Sequence, residues 1–106
     1  MAVTTHERNM MVAMSAPTAV DLFAGAGGTT QGLRDAGYTI LAAIENDRSS
    51  ADSFVRNHPE THVVERDIQR VNAPAFARTL GVNEYRRLDL LTACPPVPTI
   101  LDVGER

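Results

Sequence analysis

The sequence contains no tryptophan, no lysine and a single cysteine, Cys94, and aromatic residues make up only 5% of its 106 positions. One cysteine excludes an internal disulfide, and chains without disulfides are typical of a reducing cytoplasm. No apolar run approaches the roughly 20 residues that a membrane-spanning helix needs, and the polar stretch His6–Asn9 interrupts any signal-peptide core. We therefore expect a cytoplasmic protein without a membrane segment.

An excess of positive charge is also absent. The ten basic residues, all of them arginine, are outnumbered by thirteen acidic ones, which gives a net charge of −3. A charge of this sign provides no overall attraction to nucleic acid. The three histidines, His6, His58 and His62, lack the spacing of metal ligands, and we interpret them as surface residues.

The most informative stretch is Asp21–Gly28, which reads Asp-Leu-Phe-Ala-Gly-Ala-Gly-Gly. An apolar run over residues 18–23 ends there in three glycines, Gly25, Gly27 and Gly28, and a segment typical of a helix follows over residues 29–36. Glycine permits positive φ and close approach of the backbone, and a helix N-terminus offers unpaired N–H groups. The stretch indicates a ligand-binding loop, although a strand-to-helix turn without a ligand explains it equally well by itself.

The rest of the chain alternates between strand and helix patterns. Further strands are predicted at residues 38–44, 61–65 and 88–93, and helices at residues 47–57 and from residue 72 or 73 to 80. This order predicts an α/β fold with a parallel sheet and right-handed crossovers. Residues 1–17 show no sustained period and are predicted to be a flexible leader.

The helix at residues 47–57 has recognisable features at both ends and along one face. Asp47 is expected to cap its N-terminus, and Pro59 is expected to end it. Ala51, Phe54 and Val55 are expected to form its apolar face.

Ligands of parallel sheets bind beyond the carboxyl ends of the strands. Glu45 lies twenty residues after Gly25, at the end of the second strand, which is the spacing of a carboxylate that accepts hydrogen bonds from ribose hydroxyls. The alternative is an exposed acid at a strand end. Asp67 follows the third strand and is placed to meet an adenine amino group with Ile68 over the ring, although such an aspartate more often caps a turn. Spacing alone leaves both a nicotinamide cofactor and S-adenosyl-L-methionine open.

The stretch Asp21–Gly28 resembles the first motif of the DNA (cytosine-5-)-methyltransferases. The resemblance continues in register through Gly32-Leu33, Gly37, Ala43–Glu45, Asp47, Asn57–Pro59, Asp67-Ile68 and Leu88–Pro96. It implies that residues 18–96 are part of a Rossmann-like, S-adenosylmethionine-dependent methyltransferase domain, a truncated three-layer structure around a parallel sheet. It also implies a place in DNA methylation of the kind found in restriction–modification systems.

The resemblance assigns roles to individual residues. Phe23, Gly25, Gly27 and Gly28 match the loop that holds the cofactor S-adenosyl-L-methionine, Glu45 matches the acid that binds the ribose, and Asp67 with Ile68 matches the pair that contacts the adenine. The chain departs from the pattern at Asn46, where many members carry an aromatic residue against the adenine.

A second departure concerns catalysis. The family places a cysteine after its prolines, and its thiolate adds to C6 of a flipped-out cytosine. Here Val97 follows Pro95 and Pro96, and valine cannot act as a nucleophile. Cys94 lies three residues earlier and is expected to be buried and inert at the end of the fourth strand.

The sequence also lacks the family's later catalytic motifs and its DNA-binding, target-recognising region. We therefore expect an inactive fragment of a methyltransferase. Two alternatives stay open. One is a module that still binds S-adenosyl-L-methionine, and the other is an N-terminal half that pairs with a separately encoded, complementing C-terminal fragment.

Residues 97–106 do not continue the family pattern but resemble family sequence that is read one nucleotide out of frame. If each codon loses its first base and gains the first base of the next, Val97 with Pro98 can encode cysteine, and Pro98 with Thr99 can encode glutamine. The later overlaps allow phenylalanine, serine, threonine, leucine and glycine, with one mismatch at Thr99–Ile100, where the family has glycine. A one-base insertion or a two-base loss within the proline codons explains this pattern.

We predict that restoring this frame in the DNA places a cysteine directly after Pro96, because the overlap of the next two codons allows one. Sequencing the gene beyond the codon of Pro96, and then assaying methyl transfer by the restored product, tests the prediction. A restored frame that meets an early stop codon, or that encodes no cysteine after Pro96, contradicts it.

Overall fold

The structure, a computed structural model, describes residues 2–7 and 16–96. Its elements, in chain order, are β1 (Thr18–Leu22), α1 (Gly28–Asp35), β2 (Thr39–Glu45), α2 (Arg48–Asn57), β3 (Val63–Glu65), α3 (Ala73–Leu80) and β4 (Leu90–Ala93). Strands and helices alternate as the sequence predicts. A 3₁₀ turn at Ile68–Arg70, which is an addition to the predicted elements, follows β3.

The structure describes residues 2–7, 16 and 17 of the predicted leader. Residues 5–7 form one exposed helical turn, which is closed by a hydrogen bond from the Glu7 N–H to the Thr4 hydroxyl oxygen at 3.0 Å. Residues 8–15 lie outside the described part of the chain.

The four strands form one parallel sheet in the order β3-β2-β1-β4. The register pairs Asp21 of β1 with Ala43 of β2, so the two side chains share a face of the sheet. Helices α1 and α2 cover this face, since Thr30 bonds Asp21 and Phe54 packs with Ala43. Helix α3 borders the opposite face near Val64. The result is the expected three-layer α/β arrangement.

The core beneath the helices is small and centres on Phe54, which is fully buried with Ala24 and Ala43 and packs against Val63. The expectation for Val55 is wrong, because its side chain is 47% exposed. The buried stripe of α2 runs through Ala51 and Phe54 and continues into the residue that ends the helix. Val55 is one residue beyond this stripe and is rotated out of the core.

The start of β1 is fastened to the segment before β4. The Thr18 N–H donates to Asp89 Oδ2 at 2.8 Å, and the Thr18 hydroxyl donates to the carbonyl oxygen of Arg87 at 2.7 Å. Thr18 and Asp89 are 71 positions apart in the chain. These bonds therefore fix the register of two strands that are distant in sequence.

Asp21 is a buried carboxyl group in the central strand, with 2% of its surface exposed. Its Oδ2 accepts a hydrogen bond of 2.7 Å from the hydroxyl of Thr30, which ties β1 to α1. Burial raises the pKa of Asp21 above its ordinary value of 3.8, because the ionised form loses hydration. The carboxylate thus joins two elements but disfavours the folded state when it is ionised.

We predict that Asp21→Asn removes a pH-dependent loss of stability. The folded protein holds the Asp21 proton more tightly than the unfolded chain, so the contribution of Asp21 to the free energy of unfolding falls as pH rises above about 3.8 and levels off above its folded-state pKa. Asparagine keeps an oxygen for Thr30 and cannot ionise. Urea denaturation of both proteins between about pH 3.5 and 7 should show the difference move in favour of the variant as pH rises.

Asp52→Asn, at an exposed position on α2, is the control for loss of one negative charge. A difference between Asp21→Asn and the wild type that stays constant over this pH range, or that favours the wild type increasingly as pH rises, contradicts the prediction.

Strand β4 is an edge of the sheet as the described residues form it, since it pairs with β1 alone. Leu91 is 56% exposed on this strand, and Ala93 on the same face is exposed as well. An edge strand with unpaired backbone groups and apolar side chains is a template for association between chains.

We predict that Leu91→Lys lowers self-association of the chain, because a charge on an edge strand disfavours pairing with a second copy. Val55→Lys is the matched control, since Val55 is a similarly exposed apolar residue on a helix instead of an edge. Light scattering across a concentration series measures the effect. Equal improvement in both variants would show that general solubility is responsible, and not the β4 edge.

Candidate functional site

An open cavity of about 840 Å³ lies at the carboxyl ends of the strands. Its wall is formed by the segments that follow all four strands, namely Phe23, Ile44–Arg48, Arg66–Gln69 and Cys94–Pro96. This is the edge of the sheet at which the sequence predicts a ligand. Its size is within the range of about 300–1,000 Å³ that small-molecule sites occupy.

Phe23 stands at the point where β1 becomes the glycine loop. Its φ of 55° is the one positive value at a non-glycine residue of the described chain. A bulky side chain in the left-handed region is strained by contact with its own backbone, and such strain is concentrated at functional sites. The backbone turn makes Phe23 part of the cavity wall.

The glycine loop follows and leads into α1. Gly25 and Gly27 have φ of 57° and 99°, and Gly27 is the residue that caps α1. Gly28 begins the helix and is exposed. The glycines shape the loop, but Phe23, not a glycine, is the loop residue that lines the cavity.

Glu45 links the loop to the second strand. Its Oε1 accepts a hydrogen bond of 2.7 Å from the Gly25 N–H, and its Oε2 accepts one of 2.8 Å from the Asp47 N–H. The residue is half-buried and lines the cavity. Because each carboxylate oxygen can accept more than one hydrogen bond, Glu45 keeps acceptor positions while two backbone donors fix its orientation.

Asp47 caps α2 beside the cavity, as the sequence predicts. Its side chain accepts a hydrogen bond of 2.9 Å from the Ser50 N–H. This bond favours the ionised form and lowers the pKa of Asp47 below its ordinary value of 3.8. The start of α2 is therefore held in place next to Glu45.

Asp67 and Ile68 form the part of the wall that follows β3, and both are half-buried. Oδ1 of Asp67 accepts a hydrogen bond of 2.9 Å from the Gln69 N–H, which caps the 3₁₀ turn. Asp67 thus caps a turn, which the sequence offered as the alternative to contact with a ligand. It lies on the cavity wall at the same time, with its second oxygen outside this bond.

Cys94 does not have the environment expected for it. It is exposed and lines the cavity with Pro95 and Pro96. The expectation of a buried, inert thiol is wrong, because β4 ends one residue earlier at Ala93 and no element covers its outer side in the described part of the chain. Val97 and the rest of the segment 97–106 lie outside the described residues.

The interpretation of His58 as a surface residue is also wrong, since the side chain is 2% exposed. His6 and His62 are exposed as expected. A signal was available in the sequence: His58 follows Phe54 by four positions and Ala51 by seven, which puts it on the buried face of α2. The proline after it obscured this signal by suggesting a loop.

Over residues 2–7 and 16–96, no group of three or more histidine, cysteine, aspartate or glutamate side chains is arranged to hold a metal ion. The helices of this part of the chain are all too short or too polar to span a membrane.

Comparison with known proteins gives consistent results. The sequence profile of the C-5 cytosine-specific DNA methylases matches residues 18–100. The Type II methyltransferase M.AquIA of Picosynechococcus is 32% identical over 87 residues, which cover 82% of this chain and 35% of that protein. The Type II methyltransferase M.NgoPII of Neisseria gonorrhoeae is 40% identical over 57 residues, which cover 54% of this chain and 17% of that protein.

Solved structures show the same relationship. A DNA modification methyltransferase encoded within an E. coli prophage superposes with a TM-score of 0.68 at 26% identity, covering 76% of this chain and 23% of that one. Spodoptera frugiperda DNMT2 shares the fold, with a TM-score of 0.63. The chain spans about a third or less of the length of these relatives. From the profile match over most of its length, we conclude that the chain belongs to the family of C-5 cytosine-specific DNA methylases.

Proposed function

We propose that this chain is the cofactor-binding portion of a DNA (cytosine-5-)-methyltransferase and that it binds S-adenosyl-L-methionine in the cavity at the strand ends. The observation that carries the proposal is the geometry of Glu45. Its carboxylate is oriented by the N–H groups of Gly25 and Asp47 at 2.7 and 2.8 Å, and it borders the cavity. An oriented carboxylate at the end of the second strand suits the two hydroxyls of a ribose.

The other parts of the wall suit an adenosine. Ile68 and Phe23 offer apolar contacts for a purine, and the free oxygen of Asp67 offers an acceptor for its exocyclic amino group. These assignments rest on the family resemblance together with the common cavity that the residues line. In such a complex, Glu45 holds the ribose and Asp67 with Ile68 holds the base.

We propose further that the chain does not transfer methyl groups. The cofactor supplies an activated methyl group when it is bound, but attack on cytosine needs a thiolate that adds to C6 of the base. Val97 stands where the family has this cysteine. The contribution that we propose for this chain is then to hold the cofactor.

The test is a comparison of S-adenosyl-L-homocysteine with its 2′,3′-dideoxy analogue. We predict that the wild type prefers the natural ligand and that Glu45→Gln loses this preference, because charge-assisted hydrogen bonds to the ribose contribute about 1.5–3 kcal/mol. This corresponds to about 10- to 150-fold in affinity. Calorimetry on protein shown to be folded by circular dichroism provides the dissociation constants.

Glu65→Gln is the matched control. Glu65 is the register partner of Glu45 on β3, but it is exposed and does not line the cavity. It should keep the wild-type preference. If Glu45→Gln binds both ligands more weakly but still discriminates between them, Glu45 only organises the loop. No binding by the wild type contradicts the proposed function as a whole.

A second candidate is an N-terminal half that pairs with a separately encoded C-terminal half of the enzyme. The exposed edge at β4, with Leu91 on it, favours this candidate, because such an edge accepts another strand. A neighbouring reading frame that encodes the remaining motifs, and methyl transfer on co-expression, would distinguish it from the first candidate. The replacement of the cysteine by Val97 argues against it.

A further inference from the structure

His58 is a buried polar residue for which the proposed function has no direct use. It lies at the end of α2 with 2% of its surface exposed, and its ring packs on Phe54 with centroids 4.9 Å apart. It is not part of the cavity wall. A polar ring in this position requires hydrogen-bond partners, since an unpaired buried group is costly.

The two ring nitrogens of His58 have different partners. Nε2 lies 2.9 Å from the carbonyl oxygen of Gly27, and Nδ1 lies 3.1 Å from a terminal nitrogen of Arg34. A carbonyl oxygen only accepts hydrogen bonds, and a guanidinium only donates them. The partners therefore require a neutral ring with the proton on Nε2 and the lone pair on Nδ1.

The bonds form a continuous path from the surface to the glycine loop. Arg34 of α1 forms an ion pair with Glu60, which follows α2. From Arg34 the path runs through the His58 ring to Gly27. Because Arg34 is engaged by a carboxylate as well as by the ring, its guanidinium is fixed where it can donate to Nδ1.

The ring approaches the loop backbone very closely. A Cβ on residue 27 would come within 2.5 and 2.6 Å of atoms of the His58 ring, so a side chain at this position is excluded. The φ of 99° at Gly27 requires glycine for a second, independent reason. The contact between His58 and Gly27 is thus a close fit of ring against backbone.

Asn57 and Ala26, which directly precede His58 and Gly27, form a similar contact. The side-chain amide of Asn57 donates to the carbonyl oxygen of Ala26 at 2.8 Å. Two consecutive carbonyls of the loop are therefore held by two consecutive residues at the end of α2. The N–H of a trans peptide points away from its carbonyl, so the N–H groups of Gly27 and Gly28 face away from α2.

We propose that Asn57 and His58 are positioning residues that hold the glycine loop in its binding-competent shape before any cofactor arrives. The inference rests on the proposed function, since the benefit of a preformed loop is cofactor affinity. A loop that is already ordered loses less conformational freedom on binding, which raises affinity without a direct contact.

The experiment uses four variants of the full chain. In His58→Gln, the amide N–H can donate to the Gly27 carbonyl and the amide oxygen can accept from Arg34, whereas in His58→Leu neither bond is possible. Asn57→Ala changes an exposed residue, so it still tests the proposal if a variant of the buried His58 does not fold. His62→Leu is the matched control, because His62 is an exposed histidine that directly precedes β3.

Two readouts are measured on each protein: the dissociation constant for S-adenosyl-L-homocysteine, and the hydrogen-exchange rates of the amides of Gly27 and Gly28 without ligand. We expect His58→Leu and Asn57→Ala each to weaken binding by about 3- to 10-fold and to speed exchange. His58→Gln should restore most of the binding affinity and most of the protection from exchange, and His62→Leu should match the wild type in both measurements. ¹⁵N shifts of His58 should show a protonated Nε2 and an unprotonated Nδ1.

Wild-type affinity and exchange in both His58→Leu and Asn57→Ala would overturn the proposal, as would a protonated Nδ1. Equal losses in His58→Gln and His58→Leu would overturn the positioning role and leave His58 as packing. If the wild type binds no ligand, the proposed function fails, and the exchange rates in the ligand-free protein alone decide whether these residues hold the loop.

Discussion

The structure around the cavity depends on one carboxylate. Glu45 receives the N–H of Gly25 from the loop after β1 and the N–H of Asp47 from the turn after β2. A backbone bond from the Ala24 N–H to the carbonyl oxygen of Ile44 at 3.1 Å ties the start of this loop to β2. Glu45 adds a side-chain connection further along, so the glycine loop and the cap of α2 are held by the two oxygens of one carboxylate.

A second set of bonds holds the same loop from the opposite side. The residues at the end of α2 bond the carbonyls of Ala26 and Gly27, while Glu45 bonds the N–H of Gly25. The loop is therefore fixed through donors on one side and acceptors on the other. Backbone groups that lack regular secondary-structure partners are paired in this way.

Features determined by local chemistry could be predicted from the sequence. Asp47 and Asn72 cap their helices through bonds to Ser50 and Ala75, and Gly81 ends α3 with a φ of 74°, all in agreement with simple capping rules. The predicted alternation of strands and helices was confirmed as well, because it too follows from local sequence patterns. The resemblance to cytosine-5 methyltransferases was likewise confirmed, because a long run of motifs in register has little chance of arising otherwise.

Features determined by tertiary packing could not be predicted as well. Val55 was expected to be buried and His58 to be exposed, and the structure shows the reverse. The rotation of α2 against the sheet decides which of its side chains are buried. Cys94 is exposed because no described element covers the outer side of β4. Whether a residue at a strand end is buried depends on neighbouring elements, which the local sequence pattern does not encode. The contact of Gly27 with His58 joins residues 31 positions apart and leaves no periodic trace.

The connection between Thr18 and Asp89 has a consequence for the order in which the protein folds. Strand β1 meets β2 after one short crossover, but it meets β4 only when a segment 71 positions long has closed. Closure of long segments is entropically unfavourable and slow. We therefore expect strands β1 and β2, with the Glu45 connection, to assemble first. We expect the part of the cavity wall at Cys94–Pro96, which follows β4, to form after the part that β1 and β2 contribute.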